Sequence, residues 1–250
     1  MSQTPIEIVE HEGVLTITLR RAQKKNALTS LMYEAMIEAF ARADADANIG
    51  ALLLRGSEGI FTAGNDIGDF IACAQAPGKM AAWRFVESLA TLQTPLVAAI
   101  AGPAIGIGAT LILHCDLVYA APDALFKMPF VDLGLVPEAG ASLLLPQRIG
   151  MAKASEFLML GASFDATQAH SLGLVNDILP QADLDTYAFA QAKALARKPR
   201  GALRATRRLL RGDSTALVTR IAEEGAAFVQ ALQSGEAQAA FSAFMARGKA

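Results

Sequence analysis

The chain has 250 residues, 53% of them hydrophobic and 18% charged, with a formal net charge of −2. That length supports one large domain or a domain with a helical appendage, and the near-neutral charge argues against a global field toward nucleic acid or anionic membrane. The two cysteines, Cys73 and Cys115, argue against a disulfide framework and make a reducing cytoplasmic setting the default. The start, MSQTPIEIVEHEG, lacks a basic stretch followed by an apolar one, and the end, ARGKA, carries no address signal, so a soluble protein is expected.

In chain order, IEIV, a turn at His11–Gly13 and VLTITL predict a β-hairpin. A helix is predicted from Thr29 to Asp46, where Leu31, Met32, Ala35, Met36, Ala39 and Phe40 recur at three and four residues. ALLL at 51–54 has the continuous apolar character of a strand buried in a parallel sheet. Helices are predicted over 67–75 and 79–92, and Pro95 opens the strand PLVAAI. Residues 95–113 are uncharged and long enough to mimic a membrane span. Pro103, Gly102, Gly106 and Gly108 interrupt them, which predicts a buried strand, turn and helix instead. ATLILHC (109–115) then reads as a buried helix, DLVYA and ALFKM as strands, and 133–141 as a loop entering the short helix ASLLLPQRIG. Helices follow over 151–160, 165–171 and 183–197, with a strand LVNDIL (174–179) between the last two. From Pro199 onward the pattern is all-helical. The alternation gives an α/β core over 1–195 and a C-terminal helical region over 196–250, suited to oligomerisation.

Two small-residue loops carry the chemistry. FTAGNDI (61–67) and AGPAIGIGAT (101–110) each follow an apolar strand. A helix starting near Ile107 leaves its first N–H groups unpaired at its positive end, where they accept a developing oxyanion. Gly106 and Gly108 let a substrate carbonyl approach the backbone closely, and the same holds around Ala63, Gly64 and Asn65. Spacing alone is equally compatible with ordinary turns, Asp66 capping the helix that follows.

FTAGNDI, preceded by the hairpin and by KKNALT (24–29) and followed by GPAIGIG and CDLVYA, resembles the enoyl-CoA hydratase/isomerase (crotonase) superfamily from about Gly13 to Gly173. The resemblance implies an α/β spiral of ββα units and a C-terminal helical region, forming trimers or pairs of trimers. It implies a coenzyme A thioester as substrate and no separate cofactor. Its two oxyanion donors fall on the backbone N–H groups of Asn65 and Ile107. Adenine is implied near Ala63, Asp66 and Ile67, and phosphates near Lys24 and Lys25.

Hydratases of this superfamily use two glutamates to hold water and deliver a proton; the matching positions here are Thr110 and Phe130. Neither residue type does that work at neutral pH. Glu138, in DLGLVPEAGA, resembles the single proton-transferring glutamate of the Δ3,Δ2-enoyl-CoA isomerase branch, in a pocket that Phe130 and Val136 keep dry. A solvent-facing helix cap after Pro137 is the other reading of Glu138. Hydratase activity, or a CoA- or RNA-binding role without turnover, are the alternative functions.

Elsewhere, His114 reads as a buried, satisfied histidine, and His11 and His170 share no metal-ligand spacing with it. Asp132 and Asp69 are rival acids, and Trp83 reads as core. Arg204, Arg207, Arg208 and Arg211 share one helix face, either solvated, intersubunit or directed at CoA phosphates.

Overall fold

The computed structural model describes residues 5–74 and 80–247, the side chains of 71–74, 244, 245 and 247 excepted. The chain starts with a hairpin of β1 (Ile6–His11) and β2 (Val14–Leu19), then α1 (Ser30–Ala45). Thr29 caps α1, its hydroxyl accepting from Met32 N–H at 3.4 Å. β3 (Ala51–Arg55), α2 (Ile67–Ala74), α3 (Ala81–Thr91) and β4 (Leu96–Ile100) follow. Residues 75 and 79, at the ends of two predicted helices, lie outside the described residues. Next come β5 (Pro103–Ile105), α4 (Ile107–Thr110), a 3₁₀ turn over Leu111–His114, β6 (Leu117–Ala120) and β7 (Leu125–Lys127). After a loop the chain runs through α5 (Ala141–Ile149), α6 (Met151–Met159), β8 (Phe164–Asp165), α7 (Ala166–Ser171), β9 (Asp177–Ile178) and α8 (Gln181–Ala196). Three helices close it: α9 (Arg200–Arg211), α10 (Thr215–Leu232) and α11 (Gly235–Arg247).

The strands form two layers, one of order β1-β2-β3-β4-β6-β9 and one of order β5-β7-β8. From β2 to β9 the first sheet is parallel. Each inner strand passes into the second layer before a helix returns: β4 leads to β5, β6 to β7, and β3 to Thr62, which bridges Ala104 of β5. This is the ββα spiral. Both faces of the central strands β3 and β4 are buried, as continuous apolar runs require, while the edge strand β1 is largely exposed. Val14, Ala51, Leu53, Val97 and Ala99 pack on Leu184, Ala188 and Ala192 of α8, while Leu52, Leu54, Ala98 and Ile100 face the main core.

Three elements differ from the sequence reading. Residues 103–105 form a strand, because the flanking Gly102 and Gly106 take the positive φ of the bends and leave Pro-Ala-Ile extended. Of LVNDIL only Asp177–Ile178 is strand: Leu174 and Val175 are buried in the core, and the Asn176 side chain accepts from Val118 N–H at 2.7 Å. The predicted helix over 109–115 starts at Ile107, is α-helical for four residues, and tightens to 3₁₀ over Leu111–His114. The charge-free stretch at 95–113 is strand, turn and buried helix, and no helix among the described residues is long and apolar enough to cross a membrane.

The arginine face of α9 turns inward rather than to solvent or phosphate. Arg207 Nε meets both oxygens of Asp116 at 2.9 and 2.8 Å and its guanidinium also donates to Leu92 O. Arg211 reaches Asp116 at 2.9 Å, and Arg204 donates to Thr94 Oγ1 at 3.0 Å. Asp116 also accepts from Leu96 N–H at 2.8 Å, so this one carboxylate ties α9 to the sheet. Of the four, Arg207 is buried and Arg204 half-buried, while Arg208 and Arg211 are exposed. Asp116→Ala leaves Arg207 charged and buried without its partner, which costs about 3–5 kcal/mol. Urea unfolding of the variant is expected to show a loss of that order.

Candidate active site

The first loop runs beside β5. Thr62 N–H donates to Pro103 O at 2.9 Å and Ile105 N–H returns a bond to Thr62 O at 3.0 Å. Phe61, Ala63 and Asp66 N–H find Ala101 O, Lys25 O and Leu28 O, and Gly64 N–H finds the Thr62 hydroxyl at 3.1 Å. From Phe61 to Asp66 every backbone N–H therefore has an acceptor except that of Asn65, which has none among the described residues. Gly64 sits at φ +90°, and a Cβ there would stand 2.9 Å from Ile105 O, so only glycine brings the two loops this close.

The second loop shows the same accounting. Gly106 N–H donates to Lys127 O, while Ala109 and Thr110 N–H turn back to Gly106 O. Ile107 N–H, at the first position of α4, has no acceptor among the described residues. A buried amide left unpaired costs about 1–3 kcal/mol unless a ligand supplies the acceptor. Asn65 and Ile107 border one common space.

That space has two compartments. An outer cavity of about 110 Å³ is lined by Ala63, Ile67 and Gly106 and by the rings of Phe130, Phe228 and Phe241. A small inner cavity of about 10 Å³ is bordered by Tyr33, Trp83 and Glu138. Asn65, Ile107, Phe70 and Phe228 line both. The two unpaired amides thus stand between an apolar vestibule and a carboxyl group.

Glu138 is 5% exposed, which rules out the solvent-facing cap. Its Oε1 accepts from Thr110 Oγ1 at 2.5 Å. Burial pushes its carboxyl up to about 8, with the Thr110 hydroxyl opposing and the Glu224 carboxyl adding to the rise. Tyr33 donates to Asn65 Oδ1 at 2.5 Å, and burial holds its phenol well above the usual value, with Glu138 adding to it. Among the described residues that line either compartment, Glu138 alone carries a carboxyl group.

The remaining predicted residues divide. Ala63 and Ile67 line the outer cavity; Asp66 does not, its oxygens taking the Asp69 N–H at 3.1 Å and the Arg21 guanidinium at 2.8 Å. Lys24 and Lys25 are exposed beside the first loop, since Lys25 O accepts from Ala63 N–H. Phe130 borders the outer cavity, and Val136 is half-buried outside the lining. Asp132 pairs with Lys127 at 3.1 Å on the surface, and Asp69 takes the Ser30 N–H and hydroxyl at 2.8 Å. His114 is buried as read but only half satisfied: Nε2 donates to Ala139 O at 2.7 Å, while buried Nδ1 has no partner among the described residues. Burial lowers the imidazole to about 4, so it is neutral. His11 stacks on Phe189, His170 Nδ1 meets Val175 O, and the described residues contain no cluster able to hold a metal. Cys115 is buried and burial pushes its thiol up to about 12; the Cys73 side chain lies outside the described residues.

Sequence reasoning passed over Tyr33 and Glu224. Tyr33 belongs to the buried stripe with Met32, Met36 and Phe40, and a phenol in such a stripe signals a buried partner. Glu224 sits between Ile221 and Phe228 on the buried face of α10, where a carboxylate must have donors.

The sequence matches the family described as Enoyl-CoA hydratase/isomerase over residues 9–250. It is similar to "Enoyl-CoA delta isomerase 2" of Rattus norvegicus, 32% identical over 88% of this chain, of which it spans 57% of the length. It is similar to "Probable enoyl-CoA hydratase echA8" of Mycobacterium tuberculosis, 36% identical over 82% of this chain and 80% of that protein. Among solved structures, Pseudomonas aeruginosa OdaA superposes with a TM-score of 0.93 at 43% identity, covering 98% of this chain and 99% of that one.

The raised Glu138 carboxyl has a consequence for stability. The folded state holds this proton more tightly than the unfolded chain, whose value is near 4.5. That contribution is complete below 4.5 and is lost as pH rises through about 8. Glu138→Gln is neutral throughout, so the variant is expected to match wild type in thermal melts at pH 4. At pH 9 it should exceed wild type by on the order of 4 kcal/mol.

Proposed function

The chain belongs to the enoyl-CoA hydratase/isomerase family, and on that premise we propose that it moves a double bond from C3 to C2 of an enoyl-CoA. The observation that carries this reading is Glu138, a buried carboxyl and the one that lines either compartment among the described residues, set in a space shared with two backbone amides that have no acceptor there. The thioester oxygen accepts from Asn65 N–H and Ile107 N–H. Glu138, ionised, removes a proton from C2; the C2–H electron pair shifts into a dienolate whose charge rests on that oxygen. The same carboxyl then returns its proton to C4, and the double bond is left conjugated with the thioester. No water takes part, and the phenyl rings of Phe130, Phe228 and Phe241 around the outer cavity favour its exclusion.

For the remainder of the substrate, the reading keeps Ala63, Asp66 and Ile67 beside the adenine and Lys24 and Lys25 near the phosphates. The exposed Leu209 and Leu210 on α9 and Met151 on α6 are consistent with a homotrimer or a dimer of trimers. The names of relatives such as echA8 favour hydration instead. Hydration needs a second acid–base group, and Thr110, which stands at one of the two matching positions, is already engaged with Glu138.

Isomerisation is followed as conjugated-thioester absorbance growing from a 3-enoyl-CoA, and hydration as its loss from crotonyl-CoA. The wild type is expected to do the first and not the second, and Glu138→Gln to lower kcat by about 10²–10⁴-fold. Because the free protein's base must be ionised, kcat/KM should rise with pH through about 8 and level off above it. Hydration of crotonyl-CoA by wild type at a comparable rate, or an active Glu138→Gln, removes the reading.

A further inference from the structure

The Ala139–Gly140 peptide, one residue beyond Glu138, is held from both ends by residues far away in sequence. Its carbonyl, that of Ala139, accepts from His114 Nε2 at 2.7 Å. Its N–H, that of Gly140, donates to Glu224 Oε2 at 2.6 Å. The residues on either side of this one peptide both take positive φ, Ala139 at 59° and Gly140 at 69°. For alanine that is an unfavoured conformation, and only surrounding bonds keep it occupied. A Cβ on Gly140 would lie 2.3 Å from Leu217 Cδ1, so the turn also packs tightly on α10.

Glu224 does more than hold one amide. Its Oε1 accepts from Ser142 N–H at 2.9 Å and from Ser142 Oγ at 2.6 Å. The start of α5 has no capping side chain of its own, and a carboxylate 84 residues away supplies the cap. Glu224 is 6% exposed and its three hydrogen-bond partners among the described residues donate to it. Burial raises its carboxyl above the usual value, while the bonds from Ser142 and Gly140 and the Arg220 charge favour the ionised form. Arg220 stands behind, donating to Ser142 Oγ at 3.3 Å.

We propose that Glu224 is a positioning residue for Glu138, clamping with His114 the strained peptide that aims the base into the inner cavity. The inference rests on Glu138 being the proton-transferring group. Glu224 also supplies the buried negative charge nearest in effect to Glu138, raising its carboxyl further than burial alone. The other groups around Glu138 act differently. Thr110 from α4 donates to it and Tyr33 from α1 is a neutral phenol, while Asp69 acts on that phenol. His114 is neutral and meets the Ala139 carbonyl, and the charges of Arg211, Arg148 and Arg207 help to keep it so.

The test is a ¹³C NMR titration of the free protein carrying carboxyl-labelled glutamate, the Glu138 signal being the one lost in Glu138→Gln. In Glu224→Gln the Glu138 midpoint is expected to fall by at least about half a pH unit. Hydrogen exchange at Gly140 N–H should quicken by roughly tenfold or more. A merely structural role lowers the melting temperature and leaves the midpoint where it was; an unmoved midpoint, or unchanged exchange at Gly140, overturns the inference. If Glu224→Gln does not fold, Glu224→Asp carries the test. Its charge remains but its reach is one methylene short, so Gly140 exchange quickens while the midpoint stays within about 0.3 units. Unchanged exchange in that variant overturns the inference equally. Both readouts use the substrate-free protein, so a wild type that does not isomerise 3-enoyl-CoA sinks the proposed reaction and leaves this measurement standing.

Discussion

A carboxyl group withdrawn from water has no solvent to orient it, and the burial of Glu138 is the constraint around which this molecule is arranged. In water a glutamate side chain samples many rotamers and is ionised at neutral pH. In an apolar cavity the charged form is disfavoured, and whatever direction the group points must come from covalent geometry and neighbours. Thr110 supplies one hydrogen bond, from the helix whose N-terminus lies beside the substrate space. The rest comes through the backbone: positive φ at Ala139 and Gly140, and bonds at both ends of the peptide between them. A base made this way has high proton affinity and a fixed line of approach. Those two properties suit proton transfer between carbons that are weak acids.

The amides of Asn65 and Ile107 obey the complementary constraint. Backbone donors that are buried are almost always paired, as those of Phe61 to Gly64, Asp66 and Gly106 are. The spiral makes the exception possible by splitting each turn between two layers. Phe61 and Thr62 pair with the β5 segment, which uses up their donors, and the next turn lifts Asn65 out of register with it. The second amide is free for a different reason, since the first N–H groups of any helix lack an intrahelical acceptor. A loop that runs out of partners and a helix that has just begun converge because Gly64 and Gly108 allow the strands behind them to touch.

Much of this could be read from residue types. The hairpin, the α1 boundaries at Thr29 and Asp46, the buried strand at 51–54 and the two glycine loops follow from local chemistry, and local chemistry is what a sequence displays. Glu138 came into view only through the resemblance of its loop, as did Thr110 and Phe130 at the two-glutamate positions; residue type alone fitted a solvent-facing cap as well. What stayed hidden depends on distance along the chain. Residues 103–105, left extended by the bends at Gly102 and Gly106, become a strand by pairing with Thr62 and β7 on either side of them. The arginines of α9 look like a solvated stripe until Asp116 is brought under them. His114 looked satisfied because the absence of a helical acid partner says nothing about a bare Nδ1 in the core.

The same dependence on distance explains why the C-terminal helices are part of the site's construction. Phe228 and Phe241 form walls of the cavity, and Glu224, one turn before Phe228 on α10, caps the segment that carries the base. Glu224 and Phe228 sit on one helix face, so their positions are set together by the packing of α10. Ile221 on that face anchors it in the main core. A shift of α10 outward would widen the acyl space, loosen Gly140 and remove a negative charge from the neighbourhood of Glu138 at once. Cavity size, base orientation and base strength are therefore coupled through one amphipathic helix. The proposed isomerisation, which would have to keep water from a dienolate, gains from such coupling, because an opened pocket is also one in which the base is misdirected and weaker.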